Sequence, residues 1–483
     1  MIDKAPGPPG TLGMRNLVRF AADPLQFLRT MTTRYGDVAD MPILGKHWFL
    51  LNHPDAIEEV LVKRASVMER DEYIEILQYI LGQGLLTSEG ALWKRQRKLM
   101  AQAFTPKRIR TYATTMATVA HEGVNWPERA VINIHDEMSR VTMEIVAKVL
   151  FGTGMAPEEV ELVRTSMETI AEYTANSPEA LAKLPLWAPT PRLWGLRRAI
   201  HNIDKLMYRI INQRRSSSES DGNDLLGTLL AACDDDGTGM TDQQLRDETI
   251  TLFLAGHETT AIALAHTLTL VSKHPQVERK LVAELDAVLN GRLPLATDVQ
   301  QLPYTEQVIK EGMRLYPPAW ITGREVREDI HIGGVFISKG SQVIMSPWVV
   351  HRDPRFFPNP EAFDPDRWAT DRKLPRYAYF PFGGGPRVCI GNHFAMMEAI
   401  LVMAVVMQRY HLELLPGERL ELVPSVTLRA KQGMRMRVFP RQPTTHPTKA
   451  PNPQPRQAAT CPAATARPQP LSMMALGCSV WKG

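Results

Sequence analysis

The chain has 483 residues, 44% of them hydrophobic, and a formal net charge of +4. Residues 441–483 hold five basic and no acidic side chains, so without them the charge is −1 and the basic balance gives no reason to expect a nucleic-acid partner. Four cysteines (Cys233, Cys389, Cys461, Cys478) with no C-x-x-C spacing exclude a disulfide framework and a zinc site. With no eighteen-residue apolar run and no signal-peptide layout in "MIDKAPGPPGTLG", a soluble, cytoplasmic protein without a membrane anchor is expected.

Length alone would allow about three domains. No Pro/Gly/Ser-rich linker interrupts residues 1–440, apart from loops such as Arg214–Asp224 and Asp234–Gly239, so one domain over 1–440 is expected. Near the start, "DVADMPI" and "HWFLLN" read as a hairpin, and "PDAIEEVLVKRA" from Pro54 has helical periodicity. In "WKRQRK", Trp93 and Arg97 share one helix face and Lys94 and Lys98 another. The first face could hold a cofactor carboxylate and the second an acidic partner, although a solvated basic helix is the simpler reading of this stretch alone. "RVTMEIVAKVLFG" from Arg140 is again helical.

The clearest helix opens on a capping box, Thr241 and Gln244, and runs without proline to Lys273, 33 residues or roughly 50 Å. Its middle, "ITLFLAGHETTAIALAHTL", is apolar all round except for Gly256, Glu258, Thr259 and Thr260, which places it in a core. A buried carboxylate costs several kcal/mol unless it is paired or reaches water. Gly256 costs the helix about 1 kcal/mol relative to Ala, while leaving room for a ligand against the backbone. Glu258 beside Thr259 could relay protons. A salt-bridged glutamate with two back-bonded threonines accounts for the same residues, and this helix alone does not separate the two.

Further on, "VERKLVAELDAVL" from Val277 is helical. Glu311 and Arg314 in "EGMR" share a helix face, and Arg367 in "FDPDRW" could join them, giving a buried glutamate and two arginines suited to fork pairing in a structural role. "DIHIGGVFISKGSQVIM" alternates around a Gly333-Gly334 turn. The stretch "FPFGGGPRVCIGNHF" then surrounds Cys389 with four glycines and Arg387, just ahead of the helical "NHFAMMEAILVMAVVMQRY". Backbone N–H groups and the helix dipole there favour a thiolate. Gly385 and Gly391 would let a flat ligand lie against the backbone, and Arg387 could pair with its acid groups. One thiolate on an open, flat-ligand site suits haem iron better than zinc, which wants four ligands. The last segment, 441–483, is proline-rich and acid-free and reads as a low-complexity, disordered tail.

These residues resemble the cytochrome P-450 family. Its haem signature, Phe-x-x-Gly-x-Arg-x-Cys-x-Gly, is matched by Phe382, Gly385, Arg387, Cys389 and Gly391. Its Ala-Gly-x-Asp/Glu-Thr-Thr motif is matched by Ala255, Gly256, Glu258, Thr259 and Thr260, and its Glu-x-x-Arg pair with a later arginine looks like Glu311, Arg314 and Arg367. Trp93 and Arg97 match a propionate-holding Trp-x-x-x-Arg, and Arg324 in "TGREVRED" is similarly placed to a second propionate ligand. The resemblance implies a mainly α fold with small β-sheets, and haem b (iron protoporphyrin IX) held between the long helix and the helix after Cys389. Cys389 would be the iron ligand, with Glu258 and Thr259 delivering protons.

The implied activity is a monooxygenase that inserts one oxygen atom from O2 into a C–H or C=C bond of a lipophilic small molecule such as a terpenoid or fatty acid. Electrons would come from a ferredoxin and a ferredoxin reductase, docking on a monomer partly through Lys94, Arg95 and Lys98. The family's substrate-facing segments correspond to Tyr73–Leu86, Thr174–Trp187, Ala319–Thr322 and Val426–Leu428, and include Tyr79, Leu85, Trp187, Trp320 and Ile321. An oxygen-independent isomerase or peroxygenase is the alternative, although such relatives typically lack the Glu258–Thr259 pair. A non-catalytic haem sensor stands third, because it needs no proton relay.

Overall fold

The computed structural model describes residues 4–441, apart from 10–12, 153–155, 177–178, 180–183, 217–223, 235 and 370–372. The chain divides into two units, Met1–Gln442 and Pro443–Gly483. The second unit, which contains most of the tail read from the sequence, lies outside the described residues. Arg441, assigned from sequence to that tail, is tied to the first unit: its N–H donates to the Arg409 carbonyl (2.8 Å) and its guanidinium pairs with Glu278.

Helices dominate, and the strands form one five-stranded, one three-stranded and two two-stranded sheets among the described residues. The expected N-terminal hairpin is present, with Val38–Asp40 antiparallel to Trp48–Leu51. The latter strand also pairs in parallel with Gln342–Met345, which brings the N-terminal hairpin and a strand far later in the sequence into one sheet. The alternating stretch from Asp329 divides in two. Ile330–Ile332 and Val335–Ile337 form a tight hairpin whose Gly333 and Gly334 both have positive φ (56° and 80°), the backbone a two-residue turn of matching twist requires. Gln342–Met345 leaves for the large sheet.

The long helix spans Asp242–Ser272, with both bonds of the Thr241/Gln244 capping box formed and Lys273 as its C-terminal cap. It packs most extensively against the helix Ile134–Phe151. Leu264 and Leu268 share a core with Ile134, Met138 and Val141 on that helix and with Leu401 and Val405 on the helix Asn392–Arg409. The "PDAIEEVLVKRA" stretch departs from the single helix expected of it. An α-helical turn, Pro54–Glu58, passes into a π-helical turn, Glu59–Lys63. The Leu61 carbonyl of this turn abuts Gly385, in the loop that carries Cys389.

Candidate functional site

Along the long helix, residues 245–251 and 260–271 are buried, whereas Ala255 is exposed and Leu252, Gly256 and Thr259 are half-buried. Spacings of three and four put these four residues on one face. A core helix that opens on this face at its midpoint, with Leu254 and Glu258 also half-buried on the other side, borders a space that solvent reaches. Leu252 and Leu254 pack against the same core cluster as Leu86, Trp93, Phe104 and Ile390, the residue after Cys389. The open face, the loop at Leu86 and the cysteine loop thus rest on one shared core cluster.

The Cys389 loop is held from two sides. The Cys389 N–H donates to the Phe382 carbonyl (3.0 Å), and the Gly391 N–H donates to the sulfur. The side chain is exposed. Enclosure by protein atoms nonetheless pushes the thiol above its ordinary value, and the Gly391 hydrogen bond and the Arg97 charge only partly offset this. The helix N-terminus thus favours the thiolate without by itself offsetting burial, and a bound metal cation would deprotonate a ligating thiol outright.

Two glycines have packing reasons that the sequence did not disclose. A Cβ on Gly385, whose φ is +65°, would lie 1.8 Å from the Leu61 carbonyl oxygen, so the close approach of neighbouring backbone alone requires glycine there. A Cβ on Gly256 would meet Val146 Cγ2 at 3.2 Å, so Gly256 serves the crossing with the helix Ile134–Phe151. Gly391 has an ordinary backbone (φ −90°), and its contribution is the N–H to sulfur.

Glu258 accepts from Arg429 Nε and from Thr427 Oγ1, both at 2.5 Å. Burial opposes its ionisation, but Arg429, the Thr427 hydroxyl and His257 outweigh burial and hold the carboxyl below its usual range. Glu258 is therefore an ion-paired carboxylate. Thr259 Oγ1 donates to the Ala255 carbonyl (2.8 Å) and Thr260 Oγ1 to the Gly256 carbonyl (3.0 Å). Both halves of the back-bonded, salt-bridged alternative are formed, while Thr259 keeps its place on the open face.

Arginines gather beside the cysteine loop. Arg387 donates to the Ser88 carbonyl (3.2 Å), pairs with Glu89 and lies over the Trp93 ring (4.3 Å). Its charge is thus largely matched within the protein by Glu89. Arg324, on the strand Thr322–Val326, bonds only to its own strand, at Gly323 O (2.6 Å) and Thr322 Oγ1 (3.3 Å). Arg70, which the sequence reading missed, has a buried Nε that makes no hydrogen bond and lies 3.5 Å from Glu89 Oε1. Burial, then Arg387 and Arg324, bring it down to about 9, against the pull of Glu89 and Asp71. Three arginines against two acids leave one charge in excess. Arg97, half-buried near Cys389 and without a hydrogen-bond or ion-pair partner among the described residues, adds another. An excess of positive charge beside one accessible thiol fits a flat group with two carboxylates and a central metal.

The structural triad assembles as an ion-pair network. Arg314 meets Glu311 with Nε and Nη2, both at 2.8 Å, and Arg367 Nε (2.9 Å), Trp368 Nε1 (3.0 Å) and the Asp364 N–H (3.0 Å) complete the carboxylate. Arg314 is fully buried and also donates to the carbonyls of His351, Pro360 and Ala362. His351 Nε2 in turn accepts from the Phe380 N–H (2.9 Å), and Tyr379 Oη donates to the Lys310 carbonyl (3.0 Å). The network thus ends at the first residue of the cysteine loop. His351 and Tyr379 gave no signal in the sequence, since only this tertiary arrangement gives them partners.

Among the expected substrate-facing residues, Tyr79 and Trp187 are exposed, Leu85 is buried and Ile321 half-buried. Trp320 is buried in a packing cluster with Met41, Leu50 and Trp348, its indole donating to the Ser425 carbonyl (2.8 Å). Residues 177–178 and 180–183 of the expected Thr174–Trp187 segment lie outside the described residues. Of the proposed docking cations, Arg95 is occupied by Asp234 (2.7 Å) and the carbonyls of Thr238 and Gly239, while Lys94 and Lys98 are exposed. No described helix is long and apolar enough to cross a membrane.

The cytochrome P450 family model matches residues 5–434. Cyclooctatin synthase of Streptomyces melanosporofaciens is 38% identical over 85% of this chain and 90% of its own length. Pentalenene oxygenase of Streptomyces avermitilis is 30% identical over 87% and 94%. The structure of a retinoic acid-bound cyanobacterial CYP120A1 superposes with a TM-score of 0.80 at 26% identity, covering 90% of this chain and all of that one. The chain therefore belongs to the cytochrome P450 family, and is a monooxygenase of that family with haem as its cofactor.

Proposed function

We propose that this enzyme transfers one oxygen atom from O2 to a C–H or C=C bond of a cyclic terpenoid, drawing electrons from a ferredoxin and its reductase, with Cys389 as the iron ligand. The observation that carries the reading is the accessible Cys389 sulfur, bonded by the Gly391 N–H and facing the Arg97 charge, with the arginine-rich cluster of Arg70, Arg324 and Arg387 beside its loop. Bound haem supplies the activation and transfer of oxygen. The protein's part is to hold, orient and protonate. Arg70, Arg97 and Arg324 would hold the haem carboxylates, and Trp93 would act through its contact with Arg387. Apolar Leu252, Leu254, Leu86 and Ile390 would enclose a lipophilic substrate and exclude water. The names cyclooctatin synthase and pentalenene oxygenase favour a cyclic terpenoid over a fatty acid.

Thr259, on the open face, can turn its hydroxyl from the Ala255 carbonyl towards the site and pass a proton inward. Glu258 can share in this only when its carboxylate leaves Arg429, so Arg429 is a gate on that route. The exposed Lys94 and Lys98 would contribute to the ferredoxin face.

The test is a carbon monoxide spectrum of reduced protein, followed by turnover of cyclic diterpene and sesquiterpene hydrocarbons and of fatty acids with ferredoxin, reductase and O2. A thiolate-type red-shifted Soret band, lost in Cys389→Ala and displaced in Cys389→His, with oxygenated terpenoid products, is expected. A band that survives Cys389→Ala overturns the ligand assignment. Turnover with peroxide but none with O2 and electron donors selects the peroxygenase alternative.

A further inference from the structure

We propose that Glu248 and Asp247, two buried carboxylates of the long helix, are positioning residues that fix loop 82–88 against the substrate and thereby select substrate shape; this rests on the monooxygenase reading above. Asp247 Oδ2 accepts from the Gln83 N–H (2.8 Å), and Glu248 Oε2 accepts from the Leu85 N–H (2.9 Å). On the other side of the same residue, the Leu85 carbonyl accepts from Arg70 Nη2 (3.1 Å). The backbone of Leu85 is therefore strung between a carboxylate of the long helix and an arginine of the cofactor-carboxylate cluster.

The clamp continues along the loop. Gln96 Nε2 donates to the Gln83 carbonyl (2.8 Å), and Gln78 Nε2 donates to the Thr87 carbonyl (3.2 Å). A Cβ on Gly82 would strike the Asp247 carboxylate at 2.3 Å, and one on Gly84 would strike Thr251 Oγ1 at 2.2 Å, so the loop lies directly on the helix. Asp247 is neutralised by Arg246 Nη1 (2.9 Å) and supported by Gln243 Nε2 (2.9 Å), and Asp204 holds Arg246 from the helix Pro191–Ser216.

Glu248 has no such cation. It is fully buried, and its second oxygen, Oε1, has no partner among the described residues. One backbone N–H does not offset the desolvation of a carboxyl group, and an apolar residue of similar size would pack as well or better. What Glu248 provides is position. The residue it anchors precedes Leu86, which packs against the same core cluster as Leu252 of the open face and Ile390 beside Cys389. A shift of this loop would move an apolar wall of the substrate site without touching the haem ligand.

The test compares Glu248→Leu, which removes the acceptor without leaving a polar void, with Glu248→Gln, whose carboxamide oxygen still accepts from Leu85. Hydrogen exchange of the 82–88 segment is read by mass spectrometry, and binding of n-alkylimidazoles from butyl to dodecyl is read from the ferric visible spectrum. In Glu248→Leu, exchange at Gln83 and Leu85 is expected to accelerate about tenfold or more. The order of affinities along the alkyl series is expected to change, while the carbon monoxide signature of the reduced protein stays. Glu248→Gln is expected to remain within about threefold of the parent in both readouts. Unchanged exchange in Glu248→Leu, or faster exchange with an unchanged affinity order, overturns the proposal. A parent protein without the thiolate-type spectrum overturns the haem-thiolate reading instead, so the two failures are distinct.

Discussion

Arg429 Nε and Nη2 both stand 2.5 Å from Glu258 Oε1, joining the strand Leu428–Ala430 to the midpoint of the long helix across 171 positions of sequence. The pair is partly accessible, with about a quarter of each side chain exposed. Arg429→Met should therefore destabilise the protein by about 1–3 kcal/mol at neutral pH, less than a fully buried pair would lose. The folded-state carboxyl lies below its ordinary value, so its contribution is present above that value and is lost as pH falls through the folded value. The gap between parent and variant should be at full size at about pH 7 and narrow once pH falls below the ordinary carboxyl range, to about pH 3. Urea unfolding at both pH values checks this, and a gap independent of pH would show that the pair contributes nothing electrostatic.

Releasing Glu258 should also mark the proton route. Glu258→Gln should lower kcat about tenfold or more, with an increased solvent isotope effect and little change in substrate affinity. Arg429→Met, which frees the carboxyl, should not reproduce that loss. Equal losses in the two variants would mean that the ion pair itself, rather than a mobile acid, supports turnover.

Gly383 and Gly385 offer an internal control on the cysteine loop. Both have positive φ (69° and 65°), but a Cβ on Gly383 would meet nothing within 4 Å, whereas one on Gly385 would run into the Leu61 carbonyl. Gly383→Ala should lose only the left-handed backbone penalty, about 1–2 kcal/mol, and retain haem. Gly385→Ala should fail to bind haem or to accumulate folded protein, since the π-helical turn Glu59–Lys63 cannot withdraw without breaking its own bonds. Soret absorbance per protein, measured for both, decides the matter; comparable haem content in the two would remove the close approach as the reason for this glycine.

Much of this site was legible because its parts are local. The capping box of the long helix lies within four residues, the cysteine loop within fifteen, and Glu311 and Arg314 face each other by helical spacing alone. What stayed hidden depends on partners far away in sequence. Glu258 could be read as a free acid or an ion pair until Arg429 was placed. Gly256 and Gly385 looked like room for a ligand because Val146 and Leu61 were not in view. Arg70, in "MERDEY", carries no periodic or motif signal, and only the convergence of Arg324 and Arg387 upon it gives it meaning. The π-helical turn after Pro54 was read as ordinary helix because periodicity does not distinguish a wider turn from a regular one.

Arg70 should reveal itself by contrast between the forms with and without haem. Its guanidinium is held down at about 9 by burial and by two neighbouring arginines, so in the absence of a cofactor its charge is a burden to the fold. Arg70→Met should leave the thermal midpoint of the haem-free protein unchanged or raised, and should weaken haemin binding about tenfold. Haemin titration and melting of both forms would test this. An equal fall in both midpoints would reduce Arg70 to a loop anchor through its bond to Leu85.

Glu248 makes a separate statement about pH. Burial pushes its carboxyl up to about 8, with Asp247 adding to the shift and the Leu85 N–H opposing it. The other charges near it, Arg246 and Asp204, are taken up in the ion pairs around Asp247. Between its ordinary value and about 8, the folded protein holds a proton that the unfolded chain has released, so this group makes stability fall as pH rises through that window. Glu248→Gln cannot ionise and should lose that part of the slope, so its stability relative to the parent should increase steadily from about pH 5 to 8 and then level off. Denaturant unfolding of parent and variant across this range is the measurement. Parallel curves would mean that Glu248 stays ionised in the folded protein and that water or a counter-charge reaches Oε1 after all.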